Sequence, residues 1–148
     1  MEIPQNLVEL VGQEIGVTDW MTIDQDRVNQ FAEATDDHQW IHVDADRAKA
    51  GPFGGTIAHG FLTLALVVPL AAQVELDLGS PKMGINYGLE KVRFPAPVPV
   101  GSRIRARVSL VSVTEVSGGL QINRLVTIEV EDGDKPAMVA ETVSRVYY

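Results

Sequence analysis

Two periodicities divide the chain. Up to about residue 74 the apolar positions recur at helical spacing or run together; beyond Gly84 they alternate with polar ones. Glu14 to Ile23 reads as extended, with Trp20 and Ile23 as anchors. Thr22 or Asp24 can cap a helix over Gln25 to Ala34, where Val28, Phe31 and Ala32 fall on one face. Residues 35–43 fit neither period. Asp44 to Ala50 suits a short helix stopped by Gly51-Pro52. The flexible Gly54-Gly55 leads into an apolar helix spanning Ala58 to Val74.

The second half reads as four strands: Gly84 to Phe94, Arg103 to Val113, Leu120 to Glu131 and Val139 to Tyr148. Pro95, Pro97 and Pro99 hold an extended connection, Gly118-Gly119 makes a turn, and Asp132-Gly133-Asp134 is a hairpin signal. In the second strand Ile104, Ala106, Val108 and Leu110 share one face; Arg103, Arg105 and Arg107 share the other. In the third, Ile122, Val126, Ile128 and Val130 are the apolar set. The expected class is α+β, a long apolar helix against an antiparallel sheet. A single sheet covers only one side of such a helix, so a second copy of the chain is expected to cover the rest.

The 148 residues suit one domain over residues 1–148. The absence of cysteine excludes a disulfide framework, a thiolate nucleophile and a cysteine-based zinc site. Net charge is −8, which argues against a nucleic-acid partner. Phe61 to Ala72 is too short to cross a bilayer and contains Pro69. Met1 to Leu10 lacks the basic start and apolar run of a secretory leader, so a cytoplasmic protein is expected, with no membrane partner.

Candidate chemistry concentrates in the aperiodic segment 35–43. Asp37 and His42 are five apart; a regular helix or strand would point them apart, so they meet only if the chain bends. A carboxylate beside an imidazole is a general acid/base pair near neutral pH. The competing interpretation is a loop aspartate capping the next turn and a histidine packed on Trp40. His38 and His42, at i and i+4, have the spacing of a zinc pair but lack a clear third ligand, and no metal is expected. His59-Gly60 stands where the apolar helix begins. There the backbone N–H groups have no intrahelical partner, and a glycine lets a carbonyl approach closely. His59 itself reads as structural more than catalytic.

Asp37-His38-Gln39-Trp40-Ile41-His42, followed by Ile57-Ala58-His59-Gly60-Phe61, resembles the MaoC-like or (R)-specific enoyl-CoA hydratase family. Lys91 to Val98 is similar to that family's strand and turn after the central helix. Asp36, Gln39 and Trp40 depart from the usual Gly, Asn and Pro; the variant is similar to a branch of single-domain 3-hydroxyacyl-thioester dehydratases and NodN-like proteins. Val68 stands where some members place a serine. The resemblance implies a hot-dog fold, usually dimeric, acting on thioesters of coenzyme A or acyl carrier protein. It implies Asp37, His42 and Gly60 as catalytic groups. Gln39, Trp40, His59, Asn86, Tyr87, Gly88, Lys91 and Arg93 are assigned to substrate. The expected reaction is reversible hydration of trans-2-enoyl thioesters to (3R)-hydroxyacyl thioesters, without cofactor. The rivals are a hot-dog thioesterase and a non-catalytic acyl-thioester binder. A thioesterase usually carries its carboxylate on the central helix, and Thr56 to Val74 contains neither Asp nor Glu.

A local cationic patch is needed for a polyanionic thioester. The arginines at 103, 105 and 107 can pair with Glu129 and Glu131 on the next strand, which leaves Lys91 and Arg93 as the favoured phosphate contacts.

Overall fold

The computed structural model describes residues 2–148; Met1, the first residue of the Met1 to Leu10 segment, lies outside them. Helix α1 (Gln5–Leu10), strands β1 (Glu14–Val17) and β2 (Met21–Thr22), and helices α2 (Gln25–Thr35), α3 (Trp40–Val43) and α4 (Ala45–Lys49) come first. Helical segments α5 (Gly60–Ala65) and α6 (Val67–Ala71) follow, then strands β3 (Met83–Arg93), β4 (Arg103–Val116), β5 (Gly119–Val130) and β6 (Met138–Tyr147). The strands form one antiparallel sheet in the order β1-β4-β5-β6-β3, with β2 also on β4.

The alternation anticipated in β4 decides which face is inward. Ile104, Ala106 and Val108 are fully buried in one cluster with residues of α5 and α6, and Leu110, on the same face, is fully buried in a second cluster with Leu7 of α1. On the outer face Arg105 donates to Glu129 at 2.7 Å, Arg107 donates to Glu129 at 2.6 Å and reaches Glu14, and Arg103 pairs with Glu131. Asp24 caps α2 by accepting from the Arg27 N–H, and Asp44 caps α4 by accepting from the Arg47 N–H.

The expected single helix from Ala58 to Val74 is shorter and interrupted. It begins at Gly60, ends at Ala71 and breaks at Leu66. Pro69 is the physical reason: it has no N–H to donate to the Ala65 carbonyl, and its ring crowds that same carbonyl. Leu62, Leu66 and Leu70 still fall on one face and are buried on the sheet. Phe61 and Val68, on the other side, remain 72% and 54% exposed. A second apolar cluster, built on Leu110, Leu120 and Ile122, is covered by Leu7 of α1, a helix that the sequence pattern did not reveal. Strand β3 pairs only with β6 and is exposed along most of its length. Among the described residues no helix is long and apolar enough to cross a membrane.

Candidate active site

The chain bends at Asp36, whose φ of 58° puts a non-glycine residue in the left-handed region. Aspartate tolerates that conformation better than most residues. The bend ends α2 and throws residues 37–39 across the start of α5. Asp37 and His42 consequently converge, as the sequence required of a bent segment. One side-chain ligating atom from each of Asp37, His42 and His59 lies within 4.8 Å of the others.

Hydrogen bonds settle the histidine tautomers. His42 Nδ1 lies 2.7 Å from the Ile57 carbonyl, which only accepts, so Nδ1 carries the proton and Nε2 presents a lone pair. His59 Nε2 donates to the Asp37 carbonyl at 3.0 Å, tying the bend to the start of α5. Its Nδ1 is buried without a hydrogen-bond partner among the described residues. The two imidazoles stack, with centroids 3.9 Å apart and planes inclined at 23°, and Phe31 packs on His59 from a third side. Burial holds the His42 pKa below its ordinary value, and the neighbouring His59 pushes the same way; the Ile57 hydrogen bond and Asp37 oppose them. His42 is thus a neutral proton acceptor near pH 7.

The three ligating atoms are close enough to raise the question of a cation. The stacking weighs against one: a metal lies in the plane of each imidazole that binds it, and two rings stacked 3.9 Å apart and inclined at only 23° are a poor frame for converging on one ion. His38 does not join them. Its ring is exposed and paired with Glu33 at 2.8 Å, so the i, i+4 pair with His42 is not assembled.

Gly60 opens α5, and its N–H has no acceptor among the described residues. A Cβ there would stand 3.4 Å from the Phe94 ring, so the glycine keeps a slot open between helix and ring. Phe31, Thr35, Asp37, His42, His59, Gly60, Phe61 and Phe94 enclose this cavity, and Thr63 and Ile57 line its neighbour. Phe31 and Phe94 were legible only as apolar positions, because the approach of α2 and the end of β3 to Gly60 is purely tertiary.

The other anticipated residues lie elsewhere. Gln39 is exposed at the N-cap position of α3, where its side chain makes no capping hydrogen bond. Trp40 packs under the Arg47 guanidinium at 4.4 Å and against Gly51, outside these cavities. Asn86, Tyr87 and Gly88 line a separate, larger cavity beside α6, where Arg145 stacks on Tyr87. Lys91 and Arg93 are exposed on β3, just before Phe94 enters the site.

A family profile described as "MaoC like domain" matches residues 6–132. The chain is 57% identical over 141 residues to the 3-hydroxyacyl-thioester dehydratase Z of Mycobacterium tuberculosis H37Rv, covering 95% of this chain and 93% of that one. It is 47% identical over 137 residues to nodulation protein N of Rhizobium meliloti, covering 91% and 85%. The solved (R)-hydratase of A. caviae, described as involved in PHA biosynthesis, superposes with a TM-score of 0.73 at 26% identity, covering 90% of this chain and 94% of that one.

Proposed function

The chain belongs to the MaoC-like domain family, and from that premise we propose that it adds water across trans-2-enoyl thioesters, and removes it in reverse, using Asp37, His42 and Gly60. The observation that carries this is the meeting of a carboxylate, a neutral imidazole with a free Nε2 lone pair, and an unpartnered backbone N–H in one cavity.

The chemistry follows from the geometry. The thioester carbonyl accepts from the Gly60 N–H, which stabilises the enolate-like oxygen as charge develops there. Water attacks the β-carbon. His42 Nε2 takes a proton from that water, Asp37 holds the water and balances the charge on the ring, and His42 then passes that proton to the α-carbon, which returns the ring to its neutral form. Dehydration runs the same steps backwards. The thioester itself acidifies the α-carbon, so no redox cofactor or metal enters the proposal. The product is the (3R)-hydroxyacyl thioester, carried on coenzyme A or acyl carrier protein.

Lys91 and Arg93 are the proposed phosphate contacts for coenzyme A. Their support is twofold: the outer-face arginines are occupied by glutamates, and β3 carries Phe94 into the site. The protein acts in the cytoplasm as a homodimer, which covers the exposed Phe61 and Val68 and the unpaired edge of β3.

Crotonyl-CoA with a thiol probe separates this reading from its rivals. Loss of the enoyl absorbance with no thiol released is the expected result. Thiol release would identify a thioesterase, and binding with neither change a non-catalytic acyl-thioester binder.

A further inference from the structure

On the inward face of β5, Leu120, Ile122, Arg124, Val126 and Ile128 alternate. The four apolar members are fully buried. The fifth is a guanidinium. Arg124 sits between the two apolar clusters, opposite Leu110 on β4 and Thr142 on β6. Its Nη1 donates to the Ser144 hydroxyl at 3.0 Å, and no carboxylate pairs with its side chain among the described residues. Burial without a compensating charge pushes its pKa down. The outer face is arranged the other way: Arg103, Arg105 and Arg107 all hold a glutamate, in a setting where pairing stabilises little. A guanidinium has five N–H donors, and most of those on Arg124 remain free. They open on a cavity of about 510 Å³, walled by Leu64, Val68 and Ala71 on one side and by Leu89 and Val126 on the other.

We propose that Arg124 determines specificity at the far end of the acyl chain, and that the cavity accepts 2-enoyl or 3-hydroxyacyl thioesters whose chain ends in a carboxylate. This rests on the thioester reading above. The helical pair that presents Gly60 at its start lines this cavity from Leu64 to Ala72. A chain held by its carbonyl at Gly60 and lying along the helices meets that stretch about 6 to 18 Å from its anchor, at about 1.5 Å per residue. An aliphatic chain at that depth strips water from the guanidinium and returns no hydrogen bond. A terminal carboxylate accepts two N–H bonds in the fork geometry while Ser144 keeps its own. A crotonyl chain stops short of the charge.

The test measures kcat/KM for trans-2-enoyl-CoA substrates of six to twelve carbons, each paired with the analogue whose terminal methyl is a carboxylate. At the best length, wild type is expected to favour the carboxylate by at least ~10-fold, the scale of one charge-assisted pair. Arg124→Met reverses the preference, and Arg124→Lys retains part of it. The proposal is overturned if wild type hydrates crotonyl-CoA yet favours the methyl chain at every length, or if the preference survives in Arg124→Met. It is equally overturned if Arg124→Met leaves the preference intact and lowers only the assembly mass, which would make Arg124 a counter-charge for a second copy. Should Arg124→Met fail to fold by circular dichroism, the wild-type pairs alone decide. A wild type that hydrates no thioester, crotonyl-CoA included, would instead remove the underlying thioester reading.

Discussion

His42 shows how much a single residue's surroundings determine. Its Nδ1 is fixed by the Ile57 carbonyl, its ring by the stack on His59, and burial keeps it neutral. Because the folded-state pKa is depressed, the native protein binds this proton less readily than the unfolded chain does. The stability His42 contributes is present above its ordinary value of 6.5 and is lost as pH falls below it. Activity follows the same sign. The acid limb of kcat/KM should lie below 6.5, with rate falling as His42 is protonated. His59→Gln can retain a donor to the Asp37 carbonyl but removes the neighbouring imidazole. The limb should then move upward, and a pH profile unchanged by this substitution would exclude His59 from tuning His42. The sequence displayed these residues but not their roles: the tautomers follow from Ile57 and Asp37 carbonyls that only the folded chain brings within reach.

Among the elements, the strands were the most legible, because a buried sheet face writes a period of two directly into the sequence. Arg124 escaped that reading since it occupies an inward position between Ile122 and Val126, where a charge contradicts the pattern. The apolar helix was legible as to place but not as to continuity or buried face: its apolar residues run nearly all round, and Pro69 was the available signal for its interruption. Helix α1 is only six residues long and offers one buried side chain, Leu7, too little to show as periodicity. Strand β3 carries the test that belongs to this scale. Lys91→Ala and Arg93→Ala should each raise KM for crotonyl-CoA several-fold and leave kcat nearly unchanged, because phosphate contacts hold ground and transition states alike. The penalty should largely vanish with crotonyl-pantetheine, which lacks the nucleotide. An equal penalty on both substrates would assign these residues to the fold or the acyl site.

At the scale of the whole molecule, the uncovered Phe61 and Val68 and the free edge of β3 form one side of the protein, next to the cavity of Asn86 to Leu89. That is the surface expected to meet a second copy, and light scattering at micromolar concentration should give twice the chain mass; a monomer would contradict it. The same arrangement explains why the site spans so much of the chain: α2 supplies Phe31, the bend supplies Asp37 and His42, the helix start supplies Gly60, and the end of β3 supplies Phe94. The account as a whole stands on the Asp37–His42 pair. Turnover of crotonyl-CoA by Asp37→Asn and His42→Ala, with folding checked by circular dichroism, tests it most directly. Each substitution should lower kcat by at least ~10²-fold with the fold intact, the usual scale for losing a general acid or base. A folded variant that keeps more than about a third of the wild-type kcat would remove the pair from the mechanism, since a general acid or base contributes far more than that.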